Sequence, residues 1–373
     1  MRHDIPVLRP QLPAADRLLP YLRRIDATRI YSNQGPLVQE LEARLAGVLA
    51  LPAGGVACAS TGTAALVGGI LAAAGRASQA RPFALMPAYT FVATAFAAEE
   101  CGYRVRLADV DAGSWMLDPG QLAQDATLAG VGVVIPVAPF GRPVPLAPWS
   151  LFREQTGIPV VIDGAASLDR IETTPRQFLG AIPVALSFHA TKAFGTGEGG
   201  CVASTDADLM PRVAQSLNFG FIRARNAEAS GINGKMSEYH AAVGLAELDG
   251  WPEKRQALQM VADRYRKAMV AVGLGARFLG APDVGLTYVL FRCDDPGEAQ
   301  HVRDWLQREA VDTRLWYGKG LHTQTCYAAL PHDALPVTDA LAPCLIGLPL
   351  APDLADVQIG RVTSVLADAL SAR

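Results

Sequence analysis

Three short segments of the chain carry side chains whose types and spacing could do chemistry. The first, Thr61-Gly62-Thr63-Ala64-Ala65, stands at a predicted helix start, where hydroxyl groups can cap the helix and Gly62 permits close backbone approach. Free N–H groups at the positive end of the helix dipole would form a cradle for an anion such as phosphate. The alternative is an ordinary helix N-cap.

The second segment is a predicted buried strand that ends in a carboxylate. Asp163 follows the apolar run Pro159–Ile162 and precedes the small residues Gly164-Ala165-Ala166. At the carboxyl edge of a sheet this side chain would be half desolvated and would favour a nearby cation. The alternative is a carboxylate that only caps the turn after the strand.

The third segment surrounds a lone lysine. Lys192 follows the predicted strand Val184–Phe188 and lies among small and aromatic residues, with no adjacent acid. Burial would lower the pKa of its amine, which a nucleophilic lysine requires. The alternative is a solvated loop lysine, since most lysines are exposed.

Other chemistries lack a supporting motif. Gly195-x-Gly197-x-x-Gly200 has the spacing of a dinucleotide fingerprint, but it leads into the predicted strand Cys201–Ser204 instead of a helix. Neither G-x-x-x-x-G-K-[ST] nor G-x-S-x-G occurs, which argues against a P-loop NTPase and an elbow-type serine hydrolase. The histidines have no metal-ligand spacing, so we predict no metal site.

The elements that must position these segments follow an α/β pattern. Short apolar runs alternate with helical patterns, which favours a mainly parallel sheet covered by helices. The strands are predicted at 83–86, 133–137, 159–162, 184–188 and 201–204, and the helices at 64–74, 92–100 and 236–248.

The pattern changes near Trp251. A long amphipathic helix (253–272), a strand-like run (287–292), a charged helix (296–309) and a closing helix (358–370) follow. We therefore predict a large domain over residues 1–249 and a smaller α+β domain over residues 250–373.

Composition excludes several functional classes. Lys and Arg number 33 and Asp and Glu 36, so the net charge is −3 and a nucleic-acid partner is not expected. No apolar run reaches the length of a membrane span, and the first residues lack the apolar region of a signal peptide. The six cysteines contain no C-x-x-C pair. We predict a cytoplasmic protein with reduced thiols and no membrane partner.

A phosphate cradle, a strand-end aspartate and an isolated lysine, in this order, match the needs of pyridoxal 5′-phosphate. The chain resembles the sugar-nucleotide aminotransferases of the DegT/StrS type, a fold-type-I family, from Ser32 to Leu350. The segments that carry the resemblance are Thr61-Gly62-Thr63-Ala64-Ala65, Pro87-Ala88-Tyr89-Thr90-Phe91-Val92-Ala93-Thr94, Val161-Ile162-Asp163, Ser187-Phe188-His189-Ala190-Thr191-Lys192, Gly197-Glu198-Gly199-Gly200 and Gly231-Ile232-Asn233-Gly234-Lys235-Met236-Ser237-Glu238.

The resemblance implies a role for each matching residue. Lys192 would hold the cofactor as a Schiff base and then act as the base that moves the proton. Asp163 would pair with the pyridine nitrogen, and Phe91 would stack on the ring. The phosphate would be bound by Gly62, Thr63 and Ser187.

The resemblance also implies a homodimer with shared active sites. Asn233 would reach the phosphate of the neighbouring subunit's cofactor, so an isolated monomer would be incomplete. Asn33, Tyr317 and His322 are predicted to contact the substrate.

Two positions depart from the family pattern. The family usually has Gln or His three residues after the aspartate, where it touches the ring oxygen, but this chain has Ala166. The ring hydroxyl then needs another partner, a water molecule or a wider pocket. The family often has a His-Tyr pair in the C-terminal part, where this chain has Trp316-Tyr317. Trp316 either shapes acceptor choice beside the sugar pocket or is a hydrophobic plug.

The predicted function is a transaminase that moves an amino group from L-glutamate to a nucleotide-linked keto-deoxysugar, as in deoxyaminosugar and lipopolysaccharide biosynthesis. A 4-keto-6-deoxyhexose is preferred as the acceptor and a 3-keto sugar is the close alternative. The same fold acting on a cyclitol or an aminobenzoate-type ketone, a Rossmann-type nicotinamide dehydrogenase and a non-catalytic regulatory protein stay open as alternatives.

Overall fold

The structure is a computed structural model, and it describes residues 4–125, 128–221 and 226–372. Its larger part is built around a central sheet whose strands all pair with neighbours. The strands of this sheet are β1 (Val56–Ala59), β2 (Phe83–Pro87), β3 (Arg104–Ala108), β4 (Val131–Val134), β5 (Ile162–Asp163), β6 (Val184–Ser187) and β7 (Gly200–Ala203).

The central sheet is mainly parallel, as the sequence predicts. Strand β2 pairs in parallel with β3 and β4, and β5 pairs in parallel with β6. Parallel bridges Val134↔Val160 and Val137↔Asp163 join β4 to β5, which gives the order β3-β2-β4-β5-β6-β7-β1. Only β7 runs against the others, because it pairs antiparallel with both β1 and β6. The Gly-rich segment that ends at Gly200 therefore leads into a strand, and the rejection of a dinucleotide fingerprint is confirmed.

Helices cover the sheet and set the positions of its strand ends. The helices are α1 (Ala15–Thr28), α2 (Pro36–Val48), α3 (Gly62–Ala73), α4 (Val92–Glu100), α5 (Pro119–Leu122), α6 (Leu146–Thr156), α7 (Leu168–Ile171), α8 (Pro175–Phe178), α9 (Leu209–Ser216), α10 (Glu238–Asp249), α11 (Trp251–Ala271), α12 (Pro296–Arg308), α13 (Pro336–Leu341) and α14 (Asp356–Ser371). Helix α4 has the predicted bounds, and Ser237 caps α10 by accepting from the His240 N–H. The predicted helices at 64–74 and 253–272 each begin two residues earlier, at Gly62 and Trp251.

Helix α3 is apolar around its whole circumference and is buried throughout from Ala64 to Ala72. It packs on β6 and β7, and glycines bring it close. A Cβ at Gly68 would lie 2.9 Å from Leu217 Cδ2, and one at Gly69 would lie 3.2 Å from Val161 Cγ1. The small residues of this helix therefore allow the close layer packing on which the position of its N-terminus depends.

A second, antiparallel sheet lies in the C-terminal part of the chain. It contains β8 (Phe278–Leu279), β9 (Leu290–Arg292) and β10 (Leu345–Gly347), with β9 in the middle. The predicted run from Thr287 is thus a strand only from Leu290, since the Tyr288 N–H donates to the Gly285 carbonyl in a turn. N-terminal residues also join this part, because Ile5 bridges to Val311 and Leu8 bridges to Leu350. The domain division at residues 249/250 stays a prediction.

The sequence analysis missed two strands of the central sheet, β1 and β3. The β1 residues Val-Ala-Cys-Ala are all buried, so they show no alternation, and β1 is defined by its pairing with β7. Strand β3 does alternate, with Val105 and Leu107 buried between Arg104, Arg106 and Ala108, so its local pattern was present and was overlooked.

Candidate active site

A pocket of about 490 Å³ opens at the carboxyl ends of the central strands. Val137 and Ala138 follow β4, Asp163 ends β5, and Ser187 ends β6; all of them line the pocket. Open parallel sheets place their ligand sites at this edge, because strand ends and helix N-termini converge there.

Asp163 is buried in the floor of the pocket, and hydrogen bonds hold both of its oxygens. Oδ2 accepts from Thr94 Oγ1 at 2.7 Å, and Oδ1 accepts from the Ala165 N–H at 3.1 Å. Burial raises the pKa of the carboxyl, while these two hydrogen bonds and the charge of Lys192 oppose the rise. The side chain is therefore oriented, and it favours a cation beside it.

Lys192 lies in the turn after β6 and reaches the same pocket. Its backbone N–H donates to the His189 carbonyl at 2.8 Å, and the next residue, Ala193, donates to Thr287 Oγ1 at 3.0 Å. Burial lowers the pKa of the amine, and the charge of Asp163 raises it in part. The solvated-loop alternative is therefore wrong: the ammonium group lies in the pocket, where desolvation favours the neutral, nucleophilic form.

The N-terminus of α3 forms one wall. Thr61 caps the helix by accepting from the Ala64 N–H at 2.9 Å. The N–H groups of Gly62 and Thr63 lie in the first helical turn, where no acceptor exists within the helix, and both residues line the pocket. A Cβ at Gly62 would lie 2.6 Å from Ser187 Cβ, so only glycine lets the helix start come this close to the end of β6. These N–H groups and the serine hydroxyl together form an anion cradle.

Aromatic rings also line the pocket. Phe91, at the N-cap position of α4, is 56% exposed and is one of them. The Tyr317 hydroxyl accepts from the Phe140 N–H at 3.0 Å, and the two rings stack with centroids 4.8 Å apart. Trp316 lines the pocket and packs edge-on against Tyr288, at 5.3 Å between ring centroids. Trp316 is therefore part of the pocket wall.

The structure brings together most, but not all, of the residues predicted for the site. Those that line the pocket are Gly62, Thr63, Phe91, Asp163, Ser187, Lys192 and Tyr317. Asn33, Asn233 and His322 are not among the described residues that line it. Asn33 is exposed, with a φ of 63°; Asn233 is exposed and accepts from Lys235 Nζ at 2.8 Å; and His322 Nε2 lies 2.9 Å from Asp339 Oδ1.

Several residues at the site were not singled out from the sequence. Thr94 is buried and donates to Asp163, while Tyr288, which contacts Lys192, and Arg314 line the pocket. His189 also lines the pocket, and its Nδ1 lies 2.8 Å from Thr191 Oγ1. Thr94 and His189 lie inside the family-like segments, but Tyr288 and Arg314 carried no local signal.

The donor set fits pyridoxal phosphate. It combines an amine, a buried carboxylate, a helix N-terminus with free N–H groups and aromatic faces around one cavity. Three polar groups of the cofactor thus have complementary partners: the aldehyde an amine, the ring nitrogen a carboxylate and the phosphate the N–H cradle.

The part of the chain that the structure describes offers neither a metal site nor a membrane span. No group of three or more His, Cys, Asp or Glu side chains there could hold a metal ion. No helix within those ranges has the length and apolar character needed to cross a membrane.

Comparison with known proteins gives consistent matches. The model of the DegT/DnrJ/EryC1/StrS aminotransferase family matches residues 14–367. A dTDP-4-amino-4,6-dideoxy-D-glucose transaminase of Shigella dysenteriae is 30% identical over 251 residues, which cover 67% of this chain and 66% of that protein.

Two solved structures are similar over nearly their whole length. One is a Bacillus cereus protein described as a putative PLP-dependent aminotransferase. Its TM-score is 0.87 and its identity 27%, and the match covers 97% of this chain and 99% of that one. The other is DesI in the presence of its TDP-sugar product, with a TM-score of 0.86 and 31% identity, covering 99% of this chain and 94% of that one.

Proposed function

The chain belongs to the DegT/DnrJ/EryC1/StrS aminotransferase family, and from that premise we propose that it transfers an amino group from L-glutamate to a nucleotide-linked keto-deoxysugar. The coarser assignment, a pyridoxal-phosphate-dependent transaminase of the sugar aminotransferase family, follows from the family itself. The proposal adds the donor and the acceptor, with a 4-keto-6-deoxyhexose preferred over a 3-keto sugar.

One observation carries the proposal: Lys192 and Asp163 line the same pocket at the strand ends, and their charges influence each other. When bound, pyridoxal phosphate supplies an aldehyde and an electron-withdrawing ring. The Lys192 amine would hold the aldehyde carbon and later carry the proton that leaves the donor. The Asp163 carboxylate would keep a proton on the ring nitrogen.

The remaining residues would orient the cofactor. The Gly62 and Thr63 N–H groups and the Ser187 hydroxyl would bind its phosphate, because they form the anion cradle of the pocket. The exposed face of Phe91 would cover the ring.

The surroundings of the pocket support the substrate assignment. Arg314 lies at the pocket with its guanidinium over the Trp316 ring at 5.4 Å, and it offers a cation to a glutamate carboxylate. The 4-keto preference rests on the Shigella relative, whose name places the amino group at carbon 4 of a dTDP-linked 6-deoxy sugar. We assign Asn33, Tyr317 and His322 to substrate contacts; Tyr317 is the one that lines the pocket of its own chain.

Mass spectrometry tests this function directly. The purified protein, loaded with pyridoxal phosphate, is mixed with L-glutamate and a panel of nucleotide-linked 4-keto and 3-keto sugars and of cyclitol ketones. We expect a product in which an amino group replaces the carbonyl oxygen, formed fastest from a 4-keto-6-deoxyhexose. The Lys192→Ala variant is the matched control and should form no product.

Two other results would contradict part of the proposed function. Amination of a cyclitol ketone alone would remove the sugar assignment. Failure with glutamate but success with another amino acid would overturn the proposed donor.

A further inference from the structure

We propose that Tyr288 is a further catalytic residue, whose phenol donates a hydrogen bond to the ring oxygen that pyridoxal phosphate carries next to its aldehyde group. The inference rests on the proposed attachment of Lys192 to that aldehyde.

Tyr288 is placed for this contact by its position beside the reactive amine. Its Oη lies 3.5 Å from Lys192 Nζ, and the residue lines the pocket although only 5% of its surface is exposed. Its ring makes edge contacts with Phe140 at 5.4 Å and with Trp316 at 5.3 Å between centroids. The hydroxyl is therefore held at one point of the pocket by a packed ring.

The contact between Tyr288 and Lys192 does not supply an acceptor for the phenol proton. When Lys192 is charged, its ammonium group donates to the phenol oxygen at 3.5 Å, so the phenol's own proton is not used in that bond. Burial and the carboxylates of Asp163 and Asp169 raise the pKa of Tyr288, so the phenol keeps its proton at neutral pH. A buried O–H group needs an acceptor, and leaving it without one is costly.

The cofactor offers that acceptor at the required place. Its ring oxygen is bonded to the carbon adjacent to the one that carries the aldehyde, so the oxygen lies close to whichever amine holds the aldehyde. The side chain at position 166 cannot serve it, because Ala166 presents only a methyl group to the pocket. The Tyr317 hydroxyl accepts from the Phe140 N–H, and Tyr288 is the phenol whose oxygen lies 3.5 Å from the Lys192 amine.

The test is a pH titration of the visible absorbance of the cofactor-loaded protein. A hydrogen bond to the ring oxygen stabilises its negative charge and so lowers the proton affinity of the nitrogen beside it. Tyr288→Phe keeps the ring contacts and removes the O–H group, so the titration midpoint should rise by about one to two pH units. A fluorotyrosine in place of Tyr288 is a stronger donor and should move the midpoint the opposite way.

Tyr89→Phe is the matched control, because Tyr89 is a buried phenol in contact with the same Phe140 ring and is not among the described residues that line the pocket. Its midpoint should equal that of the unmodified protein. An unchanged midpoint in both Tyr288 variants, or an equal change in Tyr89→Phe, would overturn the inference. If Tyr288→Phe does not fold, the fluorotyrosine protein decides alone.

Borohydride reduction separates this inference from the proposed function. Reduction followed by peptide mapping should find the cofactor on Lys192 in every variant. A cofactor found on no lysine would overturn the proposed role of Lys192. Attachment to Lys192 with an unmoved midpoint would overturn only the role of Tyr288.

Discussion

At the scale of single residues, a chain of two hydroxyl groups stabilises the charge of Asp163. Thr94 Oγ1 donates its one proton to Asp163 Oδ2, since an ionised carboxylate only accepts. The 2.7 Å contact between Thr90 Oγ1 and Thr94 Oγ1 must then have Thr90 as the donor. Both threonines are buried, and aligned hydrogen bonds of this kind strengthen one another at low dielectric.

We expect Thr94→Val to destabilise the cofactor-free protein in a pH-dependent way. Burial already raises the folded-state pKa of Asp163, so the fold loses stability as the pH rises from the ordinary pKa of an aspartate to this raised pKa. Loss of the Thr94 donor raises the pKa further. The free energy of unfolding should fall by about 1.5 to 3 kcal/mol near pH 8 and by less near pH 5.

Denaturant titrations at the two pH values measure this difference. Thr94→Ser keeps the hydroxyl and should recover the stability near pH 8. An equal loss of stability at both pH values would show that Thr94 acts by packing and not through the Asp163 charge.

At the scale of elements, one buried carboxylate joins two helices of the large part. Glu238, in the first turn of α10, accepts from the N–H groups of Leu37 at 2.8 Å and of Val38 at 3.0 Å. These donors lie in the first turn of α2, which has no acceptor for them within the helix. The negative charge also complements the positive end of the α2 dipole.

We expect Glu238→Gln to lower the free energy of unfolding by about 1.5 to 3 kcal/mol, because the amide has one acceptor oxygen and turns N–H donors toward one of the helix N–H groups. Denaturant unfolding measures the change. Glu253→Gln, in the exposed first turn of α11, is the control and should cost less than about 1 kcal/mol. Equal losses in the two variants would contradict a specific capping role for Glu238.

At the scale of the whole molecule, the position of Asn233 bears on the proposed shared site. Asn233 is exposed between half-buried and buried neighbours, it bridges to Asn218, and it is not among the described residues that line the pocket of its own chain. A role for Asn233 at the cofactor phosphate therefore requires the pocket of a second copy.

Mixing two inactive variants tests this arrangement. Lys192→Ala and Asn233→Ala proteins should each have low transaminase activity. In a mixed dimer, the subunit that retains Lys192 would receive Asn233 from its partner, so one of the two sites would be complete. Each mixed dimer formed by co-refolding should therefore have up to about half the activity of an unmodified dimer. Recovery that does not exceed the sum of the separate variants would contradict a shared site.

The sequence by itself determined the parts of this protein that depend on local pattern. Apolar runs predicted the strands before Asp163 and Lys192, and capping residues predicted the helix whose N-terminus forms the anion cradle. Both signals are local, since strand burial and helix capping involve neighbours in the chain. The order of those segments along the chain was enough to indicate the fold class and the cofactor.

Only the tertiary structure decided which other side chains meet at the pocket. Thr94 contacts Asp163 across 69 residues of sequence, and Tyr288 contacts Lys192 across 96. Such contacts depend on how the strands order themselves in the sheet and how the C-terminal part packs against it, and no local spacing encodes either. For the same reason Asn33, Asn233 and His322 could be matched to a motif but not placed in the pocket.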